Sequence, residues 1–543
     1  MMMTFAARLA VSLLLMAGLP SQADPSRTKR GPLPQLFAPS EQCLACHNSL
    51  MTPEGKDVSI GSDWRASMMA NAARDPYWQA AVRREVMDHP EARAAIEHEC
   101  AACHMPMSRF QAKAGGGRGE VFSHLPVLQK SGVADRLAAD GVSCTVCHQI
   151  TEQGFGGRGS FTGGFAIDTR TLLGERKIYG PYEVDSGRKA IMRSASEFLP
   201  QQASHIQRSE LCATCHTLYT RTLGPGGEVV GELPEQVPYL EWRHSAYADR
   251  QSCQSCHMPV VEGEMPISSV LGEQRVGFSR HAFRGGNFFM LRMLNRYREE
   301  LGLTAPSREL ERAAHETLQY LQSEAARVSI AEAAVSAGRL EARVVLENLA
   351  GHKLPTAYPS RRAWVRFTVR DAQGRLLFES GGFNADGSIQ GNDNDAHPAL
   401  YEPHYERIDR PDQVQIYESI LVDPQGAVTT GLLTALRFIK DNRLLPAGFD
   451  KATAHRDIAV RGGASVDSDF DSGADRIVYS VNLAGSSRPL AVQAELWYQP
   501  IAFRWAHNLR SQRAAETDRF VSYYESMSAS SAAILAQDTV TVP

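Results

Sequence analysis

The chain has 543 residues, 43% hydrophobic and 22% charged, a length and balance that call for a folded protein of two or three domains. Lysine and arginine total 57 against 61 aspartates and glutamates, a net charge of −4. That excludes the basic face of a dedicated nucleic-acid binder and the polybasic patch of a membrane-surface protein.

Residues 1–23 read as a secretory signal peptide. Arg8 supplies the positive start, residues 9–19 the apolar run, and Ser21-Gln22-Ala23 a small-x-small cleavage site. No later apolar run reaches the ~18 residues of a membrane span. The expected location is the periplasm, or the cell surface or exterior, with no membrane span after cleavage.

All ten cysteines fall in five Cys-x-x-Cys-His units: Cys43/Cys46/His47, Cys100/Cys103/His104, Cys144/Cys147/His148, Cys212/Cys215/His216 and Cys253/Cys256/His257. This spacing is the c-type haem attachment signature. The two thiols add across the porphyrin vinyl groups, which holds the adjacent imidazole under the iron as proximal ligand. At this composition one such unit is expected by accident roughly 0.006 times. Zinc ribbons would explain the cysteine pairs but not the histidine after each of them. Five covalent haem c groups are therefore expected.

Twelve of the 17 histidines remain for the sixth iron positions. His124, His205, His281 and His352 lie in turn-like or apolar contexts that would hold a side chain against a haem. Met68, in Trp64-Arg65-Ala66-Ser67-Met68-Met69, is a thioether candidate for a fifth haem. His98 and His244 lie near haem motifs. His89, His315, His397, His404, His455 and His507 read as structural or exposed.

Along the chain, Asp75-Pro76 followed by Tyr77 to Met87 predicts a capped helix, and Leu310, Ala314, Leu318, Leu321 and Ala325 a longer one over 304–326. From about 328 the apolar period changes to two, as in Leu340/Ala342/Val344/Leu346, Val365/Phe367/Val369, Ile477/Tyr479/Val481 and Leu490/Val492/Ala494/Leu496. Residues 506–537 read as helical. The fold class is α+β multidomain. A mainly helical and loop-rich multihaem domain (24–300) leads through a linking helix (301–327) to an antiparallel β-sandwich (328–505) and a C-terminal helical segment (506–543). Asp467, Asp469, Asp471 and Asp475 alternate as Ca²⁺ ligands would. Glycine comes one place late and Val478 stands where an EF-hand has glutamate, so a solvated polar turn competes with that reading.

The five motifs, together with Gly351-His352-Lys353-Leu354-Pro355-Thr356-x-Tyr358-Pro359-Ser360-Arg361-Arg362-x-Trp364, resemble the multihaem c-type cytochromes of the cytochrome c-554-related group. Phe378-Glu-Ser-Gly381 and Leu444-Leu-Pro-Ala-Gly448 are similar to the C-terminal part of such proteins. The resemblance implies an exported electron-transfer protein with bis-histidine haems packed in close pairs. It names no donor or acceptor beyond other redox proteins. The Cys-x-x-Cys-Lys unit of the pentahaem nitrite reductases is missing from this chain, which argues against that activity. The expectation is an electron carrier. The alternative is a haem oxidoreductase acting on a small nitrogen or sulfur compound at one five-coordinate haem.

Overall fold

Short local signals set the helices of the N-terminal half. In the computed structural model, which describes residues 35–543, the Asp75 carboxylate accepts from the backbone N–H of Tyr77 (2.8 Å) and Trp78 (3.2 Å). With Pro76 at the first position this starts a helix over Pro76–Asp88, which stops at His89 ahead of Pro90. The expected signal peptide lies outside the described residues. The cysteine motifs sit on the helices Glu41–Leu44, Arg93–His104, Cys144–Cys147, Ser209–His216 and Cys253–His257, or at their ends. Long loops and three two-stranded sheets join them. β1 (Arg176–Gly180) runs parallel to β2 (Phe198–Gln202). β3 (Leu218–Leu223) pairs antiparallel with β4 (Val229–Gln236), and β5 (Glu264–Pro266) with β6 (Gln274–Val276).

The longer helix spans Ser307–Glu324 and buries Leu310, Ala314, Thr317 and Leu321 along one face. Its charged residues reach back to the motif-bearing segments. Arg65 pairs with Glu309 (2.5 Å), and Asp63, itself paired with Arg280 (2.7 Å), accepts from Arg312 (3.1 Å).

The sandwich follows the period-two pattern. β7 (Ala326–Ser336), β8 (Arg339–Asn348), β9 (Arg362–Arg370) and β10 (Leu376–Ser380) come first. The short strands β11 (Arg407–Ile408), β12 (Ile416–Tyr417), β13 (Ser419–Val422), β14 (Val428–Thr429) and β15 (Arg437–Asp441) follow, then β16 (Ala474–Asn482), β17 (Leu490–Gln499) and β18 (Ala533–Val542). One sheet has the order β10-β9-β17-β18, with β12 beside β9, and the other β11-β16-β8-β7. The inward residues meet between the sheets, where the Phe367 and Tyr479 rings stack at 4.0 Å. Each fully buried side chain of this kind is worth about 1.5–3 kcal/mol. Two features depart from the expectation. β11 joins β16 in parallel. The terminal segment is helical over Ala515–Met527, with shorter helical turns at Phe503–His507, Asn508–Ser511 and Ser528–Ser530, after which β18 pairs with β17 from Leu490 to Tyr498. The free edge of β17 offers a ladder of backbone partners, and this tertiary pairing overrides the helix propensity of the alanines in 532–536.

Residues 35–543 form one compact unit. One hydrophobic cluster runs without a break from Tyr77, Ala80, Leu233 and Val237 through Phe288–Leu294 into the sandwich core.

Candidate haem-binding site

A Cys-x-x-Cys-His unit wound into a helical turn puts its two thiols on one face and its imidazole just beyond. No disulfide joins any of the ten cysteines. Four motif histidines orient the same way. The Nδ1 of His47 bonds Ile267 O (2.6 Å), that of His104 Ala72 O (3.0 Å), that of His148 Tyr179 O (2.6 Å) and that of His257 Arg284 O (2.5 Å). A carbonyl accepts only, so in each ring Nδ1 carries the proton and Nε2 keeps its lone pair, the tautomer a metal ligand needs. Burial also favours the neutral form of three of these rings. It pushes His104 and His257 down to about 4 and lowers His148.

Two predicted distal residues come face to face with motif histidines. The His281 ring lies 6.2 Å from that of His148, with 16° between planes. The His352 ring lies 6.2 Å from that of His257, with 8° between planes. Their Nδ1 atoms bond Ser279 O (3.2 Å) and Lys353 O (2.9 Å), again leaving Nε2 available. Burial pushes His281 down to about 3. Two imidazoles on one metal, at about 2.0 Å per bond plus a ring radius of roughly 1.1 Å each, have centroids roughly 6.2 Å apart. The residues thus fit a six-coordinate iron at both sites.

The other histidine candidates make no ring contact with a motif histidine among the described residues. The Nδ1 of His124 donates to Asp135 (2.7 Å), which frees its Nε2. His205 is buried, with its Nε2 on Ile150 O (2.8 Å) and its ring against Tyr179. Met68 is half-buried against the large hydrophobic cluster. His98 accepts from Gly119 N (2.9 Å), and His244 bonds Asp450 O (2.9 Å). The sequence reading missed Trp78, whose indole stacks on His104 at 4.3 Å and 3°. Its only signal was its place in the first turn of a capped helix.

Thiols of different motifs lie side by side. Cys43 meets Cys144, Cys103 meets Cys215, and Cys212 meets Cys253, which brings Cys253 down to about 7. Backbone contacts hold the same neighbours. Thr145 Oγ1 donates to Ala38 O (2.8 Å), Gly163 N donates to Thr214 O while abutting Ala102, and Ser209 Oγ accepts from Cys253 N (3.0 Å). Cys215 also packs with Val146 of the third motif in one apolar cluster. The fourth motif therefore adjoins the second, third and fifth, and the third adjoins the first.

The loop around His352 is clamped by buried charge. Glu241 accepts from Lys353 N (3.2 Å) and Thr356 Oγ1 (2.5 Å) and pairs with Arg443 (3.0 Å). Asp441 receives Lys353 Nζ (2.7 Å) and Arg443 Nε (2.8 Å). Lys353 and Arg443 hold the Asp441 carboxyl well below the usual range despite its burial.

Three of the four aspartates of the acidic loop, Asp467, Asp469 and Asp475, lie close enough to repel one another. Asp467 and Asp475 meet the His404 side chain, which is 1% exposed, while Asp471 faces solvent. Gln415 Nε2 and Asn442 Nδ2 both donate to His404 Nδ1 (2.9 and 3.1 Å). Backbone partners fix both amides, since Gln415 Oε1 accepts from Tyr405 N and Asn442 Nδ2 also donates to Ile416 O. The His404 proton is therefore on Nε2, donated to Asp467 (3.0 Å), and that nitrogen has no lone pair for a cation.

No family model matches the chain, and no curated protein matches it. The fold is similar to a solved structure described as the crystal structure of a penta-heme cytochrome c552 from Thermochromatium tepidum. The TM-score is 0.51 at 15% identity, covering 94% of this chain and 100% of that chain. The chain thus has the fold of a multihaem cytochrome.

Proposed function

We propose that this protein is an exported pentahaem c-type cytochrome that passes electrons between redox partners outside the cytoplasm. The observation that carries the reading is the pairing of His148 with His281 and His257 with His352, each 6.2 Å apart and near-parallel. Bound haem supplies a one-electron Fe(III)/Fe(II) couple. The ten cysteines would anchor five groups, and His47, His104, His148, His216 and His257 would hold the proximal side. His281 and His352 would hold two distal positions, and His124, His205 and Met68 are the candidates for the remaining three. The adjoining thiols support close packing of the anchored groups, with the fourth motif as their junction. Saturated coordination suits electron transfer rather than substrate chemistry at iron.

Intact mass of the exported protein tests the reading, with five haem additions expected on a chain starting near Asp24. A potentiometric titration should then show every haem cycling reversibly with small mediators. Fewer haems, free thiols at any motif, or haems that do not cycle would overturn it.

A further inference from the structure

The hairpin carrying β5 and β6 lies directly on the first cysteine motif. Ile267 O takes the Nδ1 proton of His47, and Ser269 donates to Cys46 O through both its N–H (2.8 Å) and its hydroxyl (3.0 Å). The motif itself is at the surface, where Glu41, Gln42, Ala45 and Ser49 are exposed. The inner side of the hairpin is an ordinary small core of Val261, Met265 and Phe278 against Leu50 and Val58.

Its outer side is not ordinary. Val260, Val270, Leu271 and Val276 are four of the fifteen large hydrophobic side chains exposed among the described residues, and they fall within 17 consecutive positions. Leu271 is 66% exposed and Val276 69%. The hairpin core does not need them, and solvent gains nothing from them. Scattered exposed apolar residues need no explanation, but a concentration of them does. Leu271 also sits at φ +48°, a region that costs a branched residue of this size about 1–2 kcal/mol. The backbone thus bears strain at the position that presents leucine to water.

Charge surrounds this patch unevenly. Glu262, Glu264 and Glu273 are exposed on the hairpin, and Glu264 stands opposite Val276 across the strand pair. The one hairpin cation, Arg275, is spent. It pairs with Glu273 (2.9 Å), donates to Glu183 O and stacks on Tyr182. Arg188, which donates to Leu271 O (2.8 Å), is likewise taken by Asp185. Lys189 beside it and Lys56 of the turn before Val58 are the exposed counter-charges, each without an ion-pair partner among the described residues. Glu262 and Glu264 have no ion-pair partner among the described residues.

We infer that this hairpin face is the docking surface for a cationic electron-transfer protein, one whose redox centre opens on an apolar patch ringed by lysines. Apolar contact at Leu271 and Val276 would seat the partner beside the first haem, and the carboxylate rim would steer it. The inference rests on the electron-carrier reading above.

The test uses the haem-loaded full-length protein, reduced, mixed in a stopped-flow instrument with an oxidised small lysine-rich c-type cytochrome. The bimolecular rate should fall steeply as salt rises. Glu262→Lys with Glu264→Lys should lower it about tenfold at low salt and flatten the salt dependence. Leu271→Ser with Val276→Ser should lower it at all salt concentrations. Both pairs are exposed, so five haems and normal reduction by dithionite should be retained. Variants that react like the parent, while small mediators still cycle every haem, would overturn the docking site and leave the carrier reading standing. A faster reaction with an acidic carrier would also overturn it. So would a parent dimer that Leu271→Ser makes monomeric, since the face would then be a self-interface.

Discussion

His352 lies ring to ring with His257, 6.2 Å between centroids and 8° between planes, although the two belong to opposite halves of the chain. His257 ends a cysteine-bearing helix, and His352 comes from the loop between β8 and β9 of the sandwich. A shared metal would make the sandwich part of the redox unit rather than an appended module.

Replacing His352 with alanine is therefore expected to convert one haem from low to high spin and leave the others unchanged, read by electron paramagnetic resonance and the visible spectrum. His281→Ala should do the same to a different haem. A double variant should show two high-spin centres, because His281 and His352 face separate motif histidines, His148 and His257. A fully low-spin spectrum in folded His352→Ala, with no substitute ligand, would rule out His352 as a ligand.

Glu241 is fully buried and holds the His352 loop through Lys353 N and Thr356. Glu241→Gln removes one of the two carboxylates that balance Lys353 and Arg443. An uncompensated buried cation costs about 3–5 kcal/mol. Denaturant unfolding should show a loss of that order, and the haem signal altered should be the one that His352→Ala removes. A stability loss with all haem signals unchanged would show that the clamp does not position His352.

Burial raises the Asp475 carboxyl to about 7, with Asp467 and Asp469 adding repulsion. The native state then binds a proton that the unfolded chain, with its usual value near 3.8, has released. By linkage the stability from this group is fully present below about pH 4 and is lost as pH rises through about 7. Asp475→Asn cannot ionise, so its melting temperature relative to the parent should climb between pH 4 and pH 8. A constant difference across that range would mean Asp475 stays charged in the native state.

Single-motif variants test the anchoring chemistry. Cys144→Ala with Cys147→Ala should yield a protein lighter by one haem. It should also lose the low-spin signal that His281→Ala perturbs. If the two substitutions affect different haems, the third motif and His281 do not share an iron.

The amino-acid sequence determined by itself whatever depends on neighbours close in the chain. The five motifs are legible because two thiols and an imidazole must occupy successive positions on one turn. The Asp75-Pro76 start needs only a local cap, and the β7–β9 and β16–β17 region shows because apolar residues alternate along each strand. His281 and His352 stood out as candidates, but their proximal partners did not, since sequence spacing carries nothing about which imidazole faces which. Only the tertiary structure decided that motif 4 adjoins motifs 2, 3 and 5, that Trp78 covers His104, and that His404 draws in Asp467 and Asp475. It also decided that the chain ends in β18 rather than a helix, because the open edge of β17 outweighs a local alanine-rich preference. In each of these the deciding energy is a contact between distant segments: a buried hydrogen bond, an ion pair or a strand edge that no short stretch of sequence encodes.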